Sequence, residues 1–154
     1  MQKTLLIIAH TPSDNTKAML NAVSKGAHDK LVSTIKVRVL LPLETQAIDI
    51  ISANAIIIGT TENLGYMSGL VKDVFDRCFY ECLDKTEGLA FTFYIRAGND
   101  GTGTKKAIES ITTGLKWRLV QAPLICTGDF KSEFLDQCEE LGLKIAASLD
   151  ADII

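Results

Sequence analysis

The sequence predicts a three-layer α/β domain, with a five-stranded parallel sheet between two layers of helices. Three observations point to it. Short, nearly continuous runs of Ile, Val and Leu recur five times, as strands buried on both faces require. Segments with apolar residues three and four apart separate those runs. Strand and helix then alternate through all five repeats, the pattern of right-handed βαβ crossovers wound on both sides of one sheet.

The predicted strands cover residues 5–9, 35–41, 55–59, 89–95 and 122–126. The second contains Lys36-Val37-Arg38-Val39, which alternates polar and apolar side chains and suits a sheet edge. Ala18, Met19, Ala22, Val23 and Ala27 form the apolar face of a first helix. Residues 46–52 predict a brief helix. Val71, Val74, Phe75, Cys78, Phe79 and Cys82 define the next face, and Ala107, Ile108, Ile111 and Leu115 another. Phe134, Leu135, Cys138, Leu141, Ile145 and Leu149 give the last. No repeat, low-complexity tract or linker interrupts the 154 residues, so a single domain spanning 1–154 is expected.

Composition narrows the function classes. Hydrophobic residues make up 47% and charged residues 23%, an ordinary globular balance. The net charge of −3 argues against nucleic-acid binding, which calls for a basic face. It is also small for an electron carrier that steers toward basic partners. No apolar run reaches the ~20 residues of a bilayer span, and residues 4–9 are too short for a signal peptide, so a cytoplasmic location is expected. The four cysteines, Cys78, Cys82, Cys126 and Cys138, lack CxxC spacing and read as reduced core thiols; no metal site is expected.

In such sheets ligands sit beyond the carboxyl ends of the strands, where the winding reverses. Function should therefore lie in the loops after strands one, three and four. The first, HTPSDNT (residues 10–16), joins a buried strand to a helix. A helix N-terminus exposes unpaired N–H groups and a partial positive charge, so it can hold a phosphate without a lysine. Main-chain N–H groups from Ser13 to Thr16, the hydroxyls of Thr11, Ser13 and Thr16, and the amide of Asn15 are the candidate donors, with Pro12 shaping the turn and Lys17 pointing outward. The same residues also suit a plain N-cap at Ser13 or Asp14.

The second loop, residues 60–69, reads TTENLGYMSG. Its backbone can follow the edge of a flat heteroaromatic ring while Leu64 or Tyr66 covers a face, and Gly65 can take positive φ. Ser68 would cap the following helix. The third, AGNDGTGT (residues 97–104), has three glycines that allow close backbone approach. It is not a Walker loop: Gly103 is followed by Thr104, and Lys105 comes one place late.

Taken together, HTPSDNT, IIIGTTENLGYMSGLVKDVFDR (residues 56–77) and AGNDGTGT resemble the flavodoxin-like superfamily, most of all its small NAD(P)H-dependent FMN and quinone reductases. The resemblance in element order covers nearly the whole chain. It implies the flavodoxin-like strand order 2-1-3-4-5 and non-covalent FMN. It places the phosphate on Thr11, Pro12, Ser13, Asn15 and Thr16. It places the edge of the ring along Thr60, Thr61, Glu62, Asn63, Leu64, Gly65, Tyr66 and Met67, and the far side, near the pyrimidine, on Ala97, Gly98, Asn99, Gly101 and Gly103. The chain departs from the family pattern at His10, at Glu62, and at Asn99-Asp100, where acids approach the ring.

The expected activity is oxidoreduction. NAD(P)H and a small-molecule acceptor such as a quinone would use one pocket in turn, with no indispensable side-chain acid or base, and Tyr66 would shape that pocket. A homodimer or homotetramer is compatible with the resemblance. The alternatives are a one-electron carrier of the flavodoxin type and a flavin-free interaction module. A phosphoacceptor receiver domain lacks its acids, because the ends of strands one and three read Ala9-His10 and Gly59-Thr60. His10 and His28 read as capping or surface residues. Trp117, placed late in the fourth helix, reads as core or an oligomer contact, and Asp136, Glu139 and Glu140 as a solvated face.

Overall fold

The structure, a computed structural model, describes Met1–Ile154. The elements run β1 (Thr4–Ala9), α1 (Asp14–Ala27), β2 (Lys36–Leu40), a 3-10 turn (Pro42–Glu44), α2 (Ala47–Ile51), β3 (Ala55–Asn63), β4 (Tyr66–Met67), α3 (Gly69–Cys82), β5 (Ala90–Ala97), α4 (Thr102–Gly114), β6 (Arg118–Leu119), β7 (Leu124–Thr127) and α5 (Glu133–Asp150). The parallel strands lie in the order β2-β1-β3-β5, with β6 and β7 both pairing along the far edge of β5. Counting β7 as the fifth major strand, this is the predicted 2-1-3-4-5 order, and β2 is the edge its alternation indicated.

The expected five strands become seven. The strand predicted over 55–59 continues to Asn63 and turns back antiparallel as β4, so half of the expected loop is a hairpin. The strand expected at 122–126 starts later, at Leu124, because Arg118–Leu119 pairs with the first part of β5 instead. Helix α4 begins at Thr102, one and a half turns before its first apolar residue. Trp117 lies beyond the end of α4, not in it. It is buried against Phe75 and Phe91, and its indole N–H donates to Thr86 Oγ1 at 2.8 Å.

Two apolar layers sandwich the sheet. On one face, Leu6, Ile8, Ile56 and Ile58 meet Ile50, Val71, Phe75 and Ile108 from α2, α3 and α4. On the other, Leu5, Ile7 and Ile57 meet Met19 and Val23 of α1 and Cys138, Leu141 and Ile145 of α5. Alternate residues of β1 and β3 thus feed opposite layers, which is why both strands read as unbroken apolar runs. Helices α1 and α5 pack backbone to backbone: a Cβ on Gly26 would overlap the Glu139 carbonyl, and one on Gly142 would overlap that of Val23. No helix is long and apolar enough to cross a membrane.

The winding reverses between β1 and β3. The chain leaves β1 for α1 on one face and leaves β3 for α3 on the other. The loops after β1, β3 and β5 therefore all open at the carboxyl edge of the sheet, where such sheets bind ligands.

Candidate functional site

The turn after β1 is anchored at its start, where the His10 N–H donates to the Gly59 carbonyl at 3.0 Å. Ser13 is the N-cap of α1. Its hydroxyl accepts the Thr16 N–H at 3.2 Å, and the Thr16 hydroxyl accepts the Ser13 N–H at 3.0 Å. This reciprocal capping box consumes two of the four predicted main-chain donors. The N–H groups of Asp14 and Asn15 have no acceptor within the chain. Thr16 is buried, whereas Pro12, Ser13, Asn15 and Lys17 are exposed and Thr11 is half-buried. The capping expectation and the phosphate expectation thus fall on different atoms of the same turn.

The β3–β4 hairpin carries the second set. Its two turn residues, Leu64 and Gly65, have φ of 52° and 75°, the doubly positive pair of a tight type I′ turn. Glycine takes such a conformation freely, but leucine does so at a cost of about 1 kcal/mol, and the Leu64 side chain is fully exposed at the tip. Tyr66 is 41% exposed beside it. Thr60 is buried, and its hydroxyl accepts the Ser68 N–H at 3.0 Å while donating to the Thr61 carbonyl. Ser68 in turn caps α3, accepting the Val71 N–H at 3.3 Å. The Thr61 hydroxyl donates to the Asn63 side chain at 2.7 Å. Met67 is a core residue, so only its backbone can face a ligand.

Glu62 joins the second loop to the third. Its two carboxylate oxygens accept the N–H groups of Asn99 and Gly101, each at 2.8 Å. Gly101 is the N-cap residue of α4 and sits at φ 73°; a Cβ there would press on Ile125. The carboxylate therefore occupies the anion-favouring end of that helix. Two further contacts close the junction. A Cβ on Gly103 would overlap the Gly65 carbonyl, so the hairpin tip lies directly on the first turn of α4. The Thr104 hydroxyl donates to the Tyr66 carbonyl at 3.0 Å. Ala97 is fully buried, while Gly98 and Asn99 are exposed. The Thr102 N–H, donating to Asp100 at 3.0 Å, holds the Asp100 carboxyl below its usual range.

The structure thus brings the second and third predicted sets into one joined unit. The first set is separate, with no hydrogen bond from residues 11–16 to that unit.

Sequence reasoning missed three contributors. Arg96 donates to the carbonyls of Ala97, Cys126 and Gly128 at 3.0, 3.1 and 2.7 Å and packs on Phe130 and Phe134, bracing the β5–α4 loop against the loop after β7. Thr104 and the Glu62 pairings also went unseen. The Tyr94 hydroxyl is buried without a partner, its ring lying where a Gly59 side chain would be, and burial pushes its phenol well above the ordinary value. His28 caps the end of α1 as expected, its Nδ1 lying 2.8 Å from the Ser24 carbonyl. His10 instead lines a cleft beside the end of β1, where burial lowers its imidazole below the usual value.

No family model matches the sequence, and no curated protein matches it. Solved structures do. A flavodoxin from the domain Archaea superposes with a TM-score of 0.77 at 18% identity, covering 95% of this chain and 98% of that one. The two-electron reduced flavodoxin of Megasphaera elsdenii gives 0.75 at 17% identity, with 92% and 98% covered. A WrbA-like flavodoxin protein from Agrobacterium tumefaciens gives 0.67 at 15% identity, with 97% and 99% covered. At these identities the likeness is one of backbone arrangement, and it agrees with the strand order described above. The chain has the flavodoxin-like fold.

Proposed function

We propose that this protein binds FMN at the carboxyl edge of the sheet and transfers electrons, acting in the cytoplasm as an NAD(P)H-dependent oxidoreductase toward a quinone or similar small acceptor. The observation that carries this reading is the pair of unsatisfied N–H groups on Asp14 and Asn15, opening a 14-residue helix at the same sheet edge as the other two loops. Two free amides at a helix N-terminus, with its dipole, suit a phosphate dianion. The half-buried Thr11 and exposed Asn15 add side-chain donors at the same rim, so the donor set fits the group.

In this reading the Asp14 and Asn15 amides hold the phosphate, and the joined unit of residues 60–67 and 97–103 borders the ring. FMN supplies the hydride and electron chemistry when bound. The chain's own residues orient and exclude. Glu62 fixes the spacing of the two ring-side loops. Arg96 braces the lower of them. Leu64 and Tyr66 present apolar surface at the hairpin tip, where a second substrate would enter.

A second reading is the one-electron carrier, since two of the similar solved structures are flavodoxins. Anaerobic mixing of the FMN-loaded protein with NADH and with NADPH separates them. Bleaching of the flavin absorbance within seconds is the reductase result. Inertness to both, together with a stable blue one-electron state on photoreduction, would replace it with the carrier.

A further inference from the structure

Four residues other than glycine have positive φ: Leu64, Asp84, Lys116 and Asp152. Three are polar, and aspartate is among the types that tolerate this region. Leu64 is the apolar one, at φ 52° in the first turn position of the β3–β4 hairpin. An asparagine or aspartate before Gly65 would suit that turn better. Burial does not offset the strain, because Leu64 is 106% exposed, more than any other large apolar residue except Met1. Single exposed leucines are ordinary on protein surfaces. One that is both strained and wholly solvated contributes nothing to the folded chain, and such an outlier points to a use outside it.

The tip is also braced. The Gly65 carbonyl lies where a Gly103 side chain would be, the buried Thr104 donates its hydroxyl to the Tyr66 carbonyl at 3.0 Å, and Glu62 accepts the Asn99 and Gly101 N–H groups at 2.8 Å. A contact made by Leu64 therefore needs little further ordering of the backbone. The apolar surface there is small. Tyr66 is partly exposed beside it, whereas Asn63 in the same hairpin and Asn99, Asp100 and Thr102 in the segment joined to it are exposed and polar. A stable protein interface buries about 800 Å² on each partner around an apolar centre, more than these two side chains provide. One aliphatic group on a small molecule matches them.

We propose that Leu64 is a specificity residue that packs against an aliphatic substituent of the electron acceptor, so that the acceptor is a ring compound bearing a hydrocarbon tail. The inference rests on the flavin reading for the acceptor's role, but not for the contact itself.

Leu64→Asn separates this from a structural role, because its two effects have opposite signs. Asparagine relieves the turn, so the variant should unfold at a higher urea concentration than the wild type. Loss of the apolar contact should lower the preference for a benzoquinone with a decyl tail over the tailless benzoquinone, read as the ratio of kcat/KM values, by about tenfold. Leu64→Met should restore that preference. Methyl NMR reads the contact without turnover: on addition of the tailed quinone to the FMN-loaded protein, the Leu64 methyl resonances should shift saturably, and those of Leu43, exposed on the 3-10 turn, should not. An unchanged preference in Leu64→Asn, an unchanged or lower urea midpoint, or unmoved Leu64 methyls would overturn the proposal. So would an equal loss of FMN affinity in Leu64→Asn, which would give the leucine to the flavin ring. If the protein takes up no FMN or turns over neither quinone, the flavin reductase reading falls, and the methyl titration on the protein as isolated decides the contact by itself.

Discussion

Replacing Glu62 by glutamine tests the joint that holds the ring-side loops together. The wild-type carboxylate accepts two N–H groups at 2.8 Å, from Asn99 and Gly101. Hydrogen bonds to a charged group contribute about 1.5–3 kcal/mol each in a dry setting. Glu62 is half-buried, so water offsets much of that on opening. A glutamine keeps one acceptor and turns a donor NH₂ toward the second N–H, losing one bond outright and the charge from the other. The expected cost is about 1.4 kcal/mol, or tenfold in the local opening equilibrium. Native-state amide exchange followed by NMR reads it directly. The Asn99 and Gly101 amides should exchange about tenfold faster in Glu62→Gln, while core amides such as Ile57 slow or hasten only with the global midpoint. Unchanged exchange at both loop amides would refute the clamp, because the two bonds would then contribute nothing that water does not.

Other consequences are open to measurement. Asn15→Asp adds a charge at the exposed first turn of α1. It should stabilise the helix by about 0.5 kcal/mol yet repel a dianion at about 6 Å by about 1.4 kcal/mol, so thermal denaturation and FMN titration should move in opposite directions, with FMN affinity falling roughly tenfold. Tyr94→Phe removes a buried hydroxyl that has no partner, and urea denaturation should show a gain of about 1 kcal/mol; an equal loss would mean that the hydroxyl is satisfied. Burial pushes the Cys82 thiol up to about 11. An unfolded thiol ionises near pH 8.5, so the unfolded chain sheds its proton first, and stability should fall between roughly pH 9 and 11 by on the order of 2 kcal/mol. Cys82→Ala should lessen that slope, with Cys78 and Cys138, also held above the ordinary thiol value, keeping the rest; a slope unchanged in the variant would assign it elsewhere.

Much of the fold was legible in local pattern. Leu5, Ile7 and Ile57 fill one layer and Leu6, Ile8 and Ile56 the other, so an unbroken apolar run correctly signalled a strand covered on both faces. The alternation of Lys36 to Val39 correctly signalled an edge. The Ser13 and Ser68 caps were visible because capping is decided within four residues. What escaped notice depends on distant partners. Residues 60–69 read as a loop because their turn pair is Leu-Gly, not Asn-Gly, and the hairpin is held by α4 through Thr104 and the close approach of Gly103 to Gly65. The start of α4 was missed for the same reason: a glycine-rich segment becomes helical under that contact. Glu62 stood out as an acid out of place, but its partners lie 37 and 39 residues on, and no spacing rule connects them. The cleft at His10 had no signal at all. Residues 42–44 fall between the strand expected at 35–41 and the helix expected at 46–52, and only the Arg77 bridge shows them to be held in place.

The central claim is that the first turn of α1 grips the phosphate of FMN through two main-chain amides. Uniformly nitrogen-labelled protein titrated with FMN, observed at the Asp14 and Asn15 amides, tests it at those atoms. The account predicts that both resonances move downfield and saturate at one FMN per chain. Saturable FMN binding with these two amides unmoved, or no binding at all, would contradict it.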